Sequence, residues 1–209
     1  MSPLEVSQFL ANLRDTFTEL ENLPIATIAA LDGAALGGGL ELALCCDLRI
    51  SGENSILGLV ETSLGIIPGA GGTQRLARLI GTSKSKELIF TSARINSEMA
   101  YNFGVINDYT GNTKTNMAAG NFTNPNLDRD MGYPESGYEL ALLWAERISH
   151  MGPIATKMAK KAIDMGSVTD IKTGLDIENI CYQGVVNTED RLEGLLAFKE
   201  KRPPVYKGK

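Results

Sequence analysis

Val6, Phe9, Leu10, Leu13, Phe17 and Leu20 recur at the three-and-four spacing of an amphipathic helix. Ser2 stands at its capping position, Pro3 fits the first helical position, and Glu5 completes a capping box. Pro24 bars continuation, so the helix is predicted to end near Asn22. The period then changes. Ile25–Leu31 is an apolar run of strand length, and Asp47–Ser51 and Ile56–Leu59 are shorter ones. Between the first two lie a Gly-rich stretch and room for a helix of roughly ten residues, a strand–helix–strand unit that favours parallel, right-handed pairing. A second Gly-rich loop opens a helix at Thr73–Ile80; Lys84–Phe90 and Ser97–Asn102 read as further helices, and Val105–Asn107 as a short strand. From Thr110 to Ser136 Asn, Thr, Gly and Asp dominate without periodicity, which predicts an irregular surface insertion. The last third reads as four helices: Tyr138–Ser149, one opened by Pro153 and stopped by Gly166, Asp170 to about Tyr182, and one capped by Thr188 and running to Phe198. The expectation is one α/β domain over 1–209, with a core over 1–109, the insertion over 110–136 and a helical region over 137–209.

Composition narrows the function classes. The chain has 209 residues, 43% hydrophobic and 22% charged, enough for a sizeable core. A net charge of −5 gives no general reason to expect nucleic acid. Cys45, Cys46 and Cys181 have neither framework nor CxxC spacing and read as reduced core thiols. With His150 as the one histidine, a histidine triad or multi-histidine metal site is not expected. No apolar run approaches the ~20 residues of a membrane span, and no apolar signal or Arg-rich transit stretch opens the sequence. Asn121-Phe122-Thr123 matches a glycosylation triplet, read as coincidence without secretory context.

Candidate chemistry centres on Ala34-Ala35-Leu36-Gly37-Gly38-Gly39-Leu40-Glu41, where a strand hands over to a helix. Glycines there admit close approach of a ligand to the backbone, and unpaired N–H groups at a helix start suit an oxygen that gains negative charge. No Lys-Ser/Thr follows, so this is not a phosphate-binding P-loop; Arg75 likewise replaces the last small residue of a dinucleotide fingerprint after Gly69-Ala70-Gly71. Tight-turn packing and ligand contact both remain open for these glycines. Glu41 and Glu61 each lie among apolar neighbours, where a carboxyl pKa can rise into a range suited to proton transfer. A carboxylate that merely favours a helix dipole is the alternative. Spacing alone does not bring the two together.

Ala35–Ala43, Gly58-Leu59-Val60-Glu61-Thr62, Ile67–Leu76, Lys86–Phe90 and Asp190–Arg202 together closely resemble the crotonase superfamily, the enoyl-CoA hydratases and isomerases. Within it the chain is most similar to the AU-RNA-binding methylglutaconyl-CoA hydratases, mitochondrial enzymes of leucine breakdown. The resemblance implies a spiral of ββα turns followed by a helical region that forms trimers, often paired into hexamers. It implies that Gly38 N–H supplies half of an oxyanion hole, and that Glu41 and Glu61 are the catalytic carboxylates, one acting on water and the other protonating the α-carbon. It further implies that Ala34, Leu36, Gly37, Pro68 and Gly69 border the acyl-CoA thioester and that Phe198 and Lys201 contact its coenzyme A part. Coenzyme A then arrives as substrate, with no metal or separate cofactor. An isomerase, which often keeps one of the two acids, is the alternative within the enzymes.

Family members carry further strand–helix units ahead of a helix corresponding to residues 3–21. That part supplies the second oxyanion N–H, much of the adenine pocket and the RNA-binding stretch of the AU-RNA-binding hydratases. RNA binding is therefore not carried over. Loss of one oxyanion donor typically costs ~2.7–4 kcal/mol of transition-state stabilisation. The expectation for this chain is weak hydratase turnover, with a non-catalytic subunit that co-assembles with a full-length hydratase as the competing reading.

Overall fold

The capping box forms as the sequence predicts. Glu5 N–H donates to Ser2 Oγ at 3.3 Å and Ser2 N–H to Glu5 Oε2 at 2.6 Å, opening helix α1 over Pro3–Glu21. The computed structural model describes residues 2–113 and 133–209, and within it the chain forms two compact units. One comprises Met1–Leu23 with Thr27–Trp144, the other Pro24–Ala26 with Ala145–Lys209.

In the first unit the chain winds as strand, strand, helix. Strands β1 (Ile28–Leu31) and β2 (Ala34–Leu36) precede α2 (Gly38–Ala43); β3 (Leu48–Ser51) and β4 (Ile56–Gly58) precede a 3₁₀ turn at Glu61–Leu64 and α3 (Gly72–Ile80). Helix α4 (Thr82–Phe90), β5 (Ile95–Asn96), α5 (Ser97–Asn102) and β6 (Asp108–Tyr109) follow. Alternate strands go to different sheets. One sheet runs β1-β3-β6, all parallel, with Ile28 opposite Leu48; the other runs β2-β4-β5, parallel then antiparallel, with Ala34 opposite Ile56. This is the α/β spiral that the resemblance implied.

Several local expectations are corrected. Ala34–Leu36 is a strand rather than loop, because β4 offers it a complete partner. That leaves α2 six residues instead of roughly ten. The apolar run from Ile25 yields only four strand residues: Thr27 N–H and Oγ1 turn instead to the Asp47 carboxylate, at 2.7 and 2.9 Å. Val105–Asn107 is not a strand. The N–H groups of Val105 and Ile106 fold back to Ala100 O, so the ladder to β3 is made by Asp108 and Tyr109. Residues 110–113, expected to open the irregular insertion, are helical; its continuation to residue 132, with the Asn121 triplet, lies outside the described residues.

The main core of this unit gathers Leu40, Leu44, Leu57, Leu59, Leu76, Leu88 and Val105, all buried. Phe17 of α1 packs with Cys45 and Ala70 in a second cluster. Helix α6 (Gly137–Ser149) sets Leu140, Ala141 and Leu143 against Ile50, with Ile28 and Trp144 beside them. That burial keeps α6 as far as Trp144 with the first unit, so the second begins at Ala145 rather than at 137. The start of α6 is fixed from far off: Asp32 accepts from the N–H groups of Gly137 and Tyr138. A Cβ at Gly137 would lie 2.5 Å from Gly52 N and 2.8 Å from Leu31 O, so the approach demands glycine.

The second unit is helical: α7 (Pro153–Gly166), α8 (Ile171–Val186) and α9 (Glu189–Glu200). Asp170 caps α8, which continues past Tyr182 to Val186. A Cβ at Gly166 would sit 3.5 Å from Gly174 Cα, so glycines let α7 and α8 approach closely near their connection. Beyond α9 the tail doubles back. Asp190 accepts from Lys207 and Gly208 N–H at 2.7 and 2.8 Å, while Glu193 holds Arg202 through both guanidinium Nη atoms and takes the N–H of Val205. Among the described residues no helix is long and apolar enough to cross a membrane.

Candidate active site

Two loop–helix junctions of the first unit meet at the ends of β2 and β4. Gly37 N–H donates to Gly58 O at 2.8 Å and joins them. Gly37 turns the chain at φ +55°, a left-handed conformation that glycine adopts at little cost, and caps α2. Gly38 and Gly39 stand on the exposed side with open space where a Cβ would lie, and their N–H groups precede the first intrahelical bond, Leu40 N–H to Gly37 O.

Glu41, one turn into α2, is 3% exposed. Its Oε1 accepts from Ala70 N–H at 2.8 Å and Gly72 N–H at 2.7 Å. The second Gly-rich loop thus serves as a cradle for the carboxylate of the first. Gly71, at φ +108°, makes the turn that aims both amides inward. The loop is held from outside: Arg14 Nε donates to Gly69 O at 2.7 Å, and Arg75 Nη1 to Ala70 O at 3.1 Å. Arg75 also pairs with Glu21 of α1 at 2.7 Å.

Glu61 begins the 3₁₀ turn after β4 and is 8% exposed. A Cβ at Gly37 would lie 3.3 Å from its Oε1, so the carboxyl rests against the glycine that caps the helix of Glu41. Its Oε2 is buried with no hydrogen-bond partner among the described residues. Burial raises the Glu61 pKa above 4.5, its own backbone N–H opposes the rise, and the charge of Glu41 adds to it. The structure therefore brings Glu41 and Glu61 into one electrostatic site, which spacing alone did not. Two carboxyl groups in unequal surroundings, one held by paired amides and one disfavoured as an anion, are suited to acid–base work.

Of the other expected site residues, Ala34 is exposed, and Leu36 and Gly37 are half-buried, along the same strand end. Pro68 is buried. Gly69 lies against Leu10, where a Cβ would come within 2.7 Å of Cδ2, and its carbonyl is taken by Arg14, so both residues sit in the supporting loop behind Glu41. Phe198 and Lys201 belong to the second unit: Phe198 is 86% exposed on α9, and Lys201 closes that helix at φ +56°. No group of metal-ligating side chains occurs among the described residues. Cys45, buried and donating to Glu41 O at 3.1 Å, has its thiol pushed up to about 11 by burial, which suits an inert core thiol. Sequence reasoning missed the amides of Ala70 and Gly72 and the roles of Arg14 and Arg75. The Gly71-Gly72 doublet is the visible trace of the cradle in the sequence, while nothing around Arg75 there shows its bond to the Ala70 carbonyl.

The enoyl-CoA hydratase/isomerase family matches residues 5–118. The probable mitochondrial enoyl-CoA hydratase 2 of Arabidopsis thaliana is 51% identical over 208 residues, 100% of this chain and 62% of that protein. The human mitochondrial methylglutaconyl-CoA hydratase is 47% identical, with 100% of this chain and 56% of that protein covered. The chain thus spans about three-fifths of the length of these curated relatives. In a crystal structure of an enoyl-CoA hydratase from Bacillus anthracis, 45% identical, the fold superposes with a TM-score of 0.85 over 100% of this chain and 72% of the other. With the strand–strand–helix winding, these matches place the chain in the enoyl-CoA hydratase/isomerase family.

Proposed function

We propose that this chain hydrates the 2,3 double bond of an enoyl-CoA thioester, with Glu41 as base and Glu61 as acid. The observation that carries the reading is the unequal setting of the two buried carboxyls. Glu41 spends Oε1 on Ala70 and Gly72 N–H, which leaves Oε2 to orient a water and take its proton. Glu61, whose neutral form burial favours, is placed to deliver a proton to the α-carbon. As the water oxygen bonds to the β-carbon, the double-bond electrons move toward the thioester carbonyl, where Gly38 N–H stabilises the developing enolate. Protonation at the α-carbon completes the hydrated product. The reaction in this form uses no metal and no redox group; coenzyme A enters as part of the substrate.

Hydration needs both a base and an acid, which favours it here over double-bond isomerisation. The names of the human, mouse and rat methylglutaconyl-CoA hydratases support 3-methylglutaconyl-CoA as the substrate and the mitochondrion as the compartment. Apolar side chains left open on the helical unit, Ile171 at 80% and Phe198 at 86% exposed, support assembly of several copies, read as a trimer or hexamer.

The test is turnover of crotonyl-CoA and 3-methylglutaconyl-CoA by the purified chain, followed as loss of the conjugated thioester's ultraviolet absorbance, with light scattering on the same sample. Glu41→Gln and Glu61→Gln should each lower kcat by about 10²-fold or more. A wild-type chain without turnover, or variants as active as wild type, would sink the assignment.

A further inference from the structure

Resting on that hydratase reading, we infer that Ser92 is a positioning residue for Glu61: its hydroxyl fixes the turn that carries the carboxyl. Ser92 follows α4 at φ +50°, one of two non-glycine residues with positive φ among those described. Its N–H donates to Ile89 O at 3.2 Å, and the next residue's N–H, from Ala93, returns to Leu88 O at 2.9 Å. This is a helix exit at which glycine is the unstrained choice. A serine there calls for a reason in its side chain.

That side chain reaches both flanks of Glu61. Ser92 Oγ accepts from Ser63 N–H at 3.0 Å, lies 2.7 Å from Thr62 Oγ1 and has Val60 O within 3.3 Å. The protons fix the directions. Thr62 Oγ1 donates to Ile89 O at 2.5 Å, so its hydrogen is committed and the Ser92 hydroxyl donates to it. One hydroxyl thus ties the two residues after Glu61 to the end of α4, with the carbonyl of the residue before it alongside. The same segment meets β4 directly, because Gly58 lies against Ala93 O with no room for a Cβ. Glu61 Oε2 has no hydrogen bond of its own among the described residues, so the aim of the carboxyl depends on the backbone of Val60–Ser63. Misplacing a reacting group by about 1 Å can cost 10²-fold in rate.

Ser92→Gly and Ser92→Ala both delete the hydroxyl, but the first relieves the backbone and the second does not. Both should lower kcat for crotonyl-CoA by about tenfold to a hundredfold, with KM within about twofold of wild type. Ser92→Gly should melt above Ser92→Ala, and in both variants the Ser63 amide should exchange with solvent faster than in wild type. A loss of kcat in Ser92→Ala alone would assign the effect to backbone strain and overturn the proposal. So would wild-type kcat in both variants alongside an impaired Glu61→Gln enzyme, which would leave the hydratase reading standing. Unimpaired turnover in Glu61→Gln would instead remove the reading and the Ser92 role together.

Discussion

An ionised carboxylate taken out of water needs donors to replace its hydration. Glu41 receives two at one oxygen, from Ala70 and Gly72, whereas Glu61 buries an oxygen that receives none among the described residues. The difference has a thermodynamic sign. The folded pKa of Glu61 lies above 4.5, so folding favours its neutral form; that contribution is full below 4.5 and is lost as pH rises through the folded value. Glu61→Gln, neutral throughout, should therefore gain stability over wild type as pH rises, and urea unfolding at a series of pH values measures the gap. At Gly72 a Cβ would come within 2.9 Å of Glu41 Cγ and 3.0 Å of Leu59 Cδ1. Gly72→Ala should disturb the cradle and lower kcat by about tenfold or more, read in the same hydration assay. Both acids were visible in the sequence as carboxylates among apolar residues beside glycines. Their meeting was not, because the donors that orient Glu41 are backbone amides, which leave no side-chain signature.

Elements long enough to show a period were legible: α1 with its capping box, α4 though it starts two residues before the expected Lys84, α5 at its bounds, and α7 from Pro153 to Gly166. Strands β2, β5 and β6, two or three residues each, have no room for alternation and exist only through their ladder partners. The start of α6 falls one residue before the expected Tyr138, with Ser136 Oγ as a local cap that accepts from Glu139 N–H at 3.1 Å. What the local sequence hides is the second cap, the Asp32 carboxylate, which lies 105 positions earlier. Asp32→Ala should cost about 1–2 kcal/mol in urea unfolding, with the denaturant slope unchanged.

For the whole chain, the winding of the first unit and the helical character of the second followed from the resemblance, while the division at Trp144 followed from packing that no composition change marks. The second unit closes on its own tail through the Asp190 and Glu193 carboxylates of α9. Arg202 and the N–H of Val205 hold the Glu193 carboxyl down at about 2. A lowered carboxyl contributes above its ordinary value of 4.5 and loses that contribution as pH falls through about 2. The Val205 amide resonance should accordingly titrate with a midpoint near 2. In Arg202→Met the midpoint should move up toward 4.5. A wild-type midpoint at 4.5 would mean that the tail is not pinned in solution.

The bond between Asp32 and the head of α6 also has a history in time. A contact spanning 105 positions closes late, after the β1–β2 turn and the distant helix have each taken shape and met. During refolding α6 would have only its local Ser136 cap, with the Gly137 and Tyr138 amides served by water. Removing the aspartate should then leave the refolding rate nearly unchanged and show itself as faster unfolding, so the residue guards the finished molecule without helping to build it.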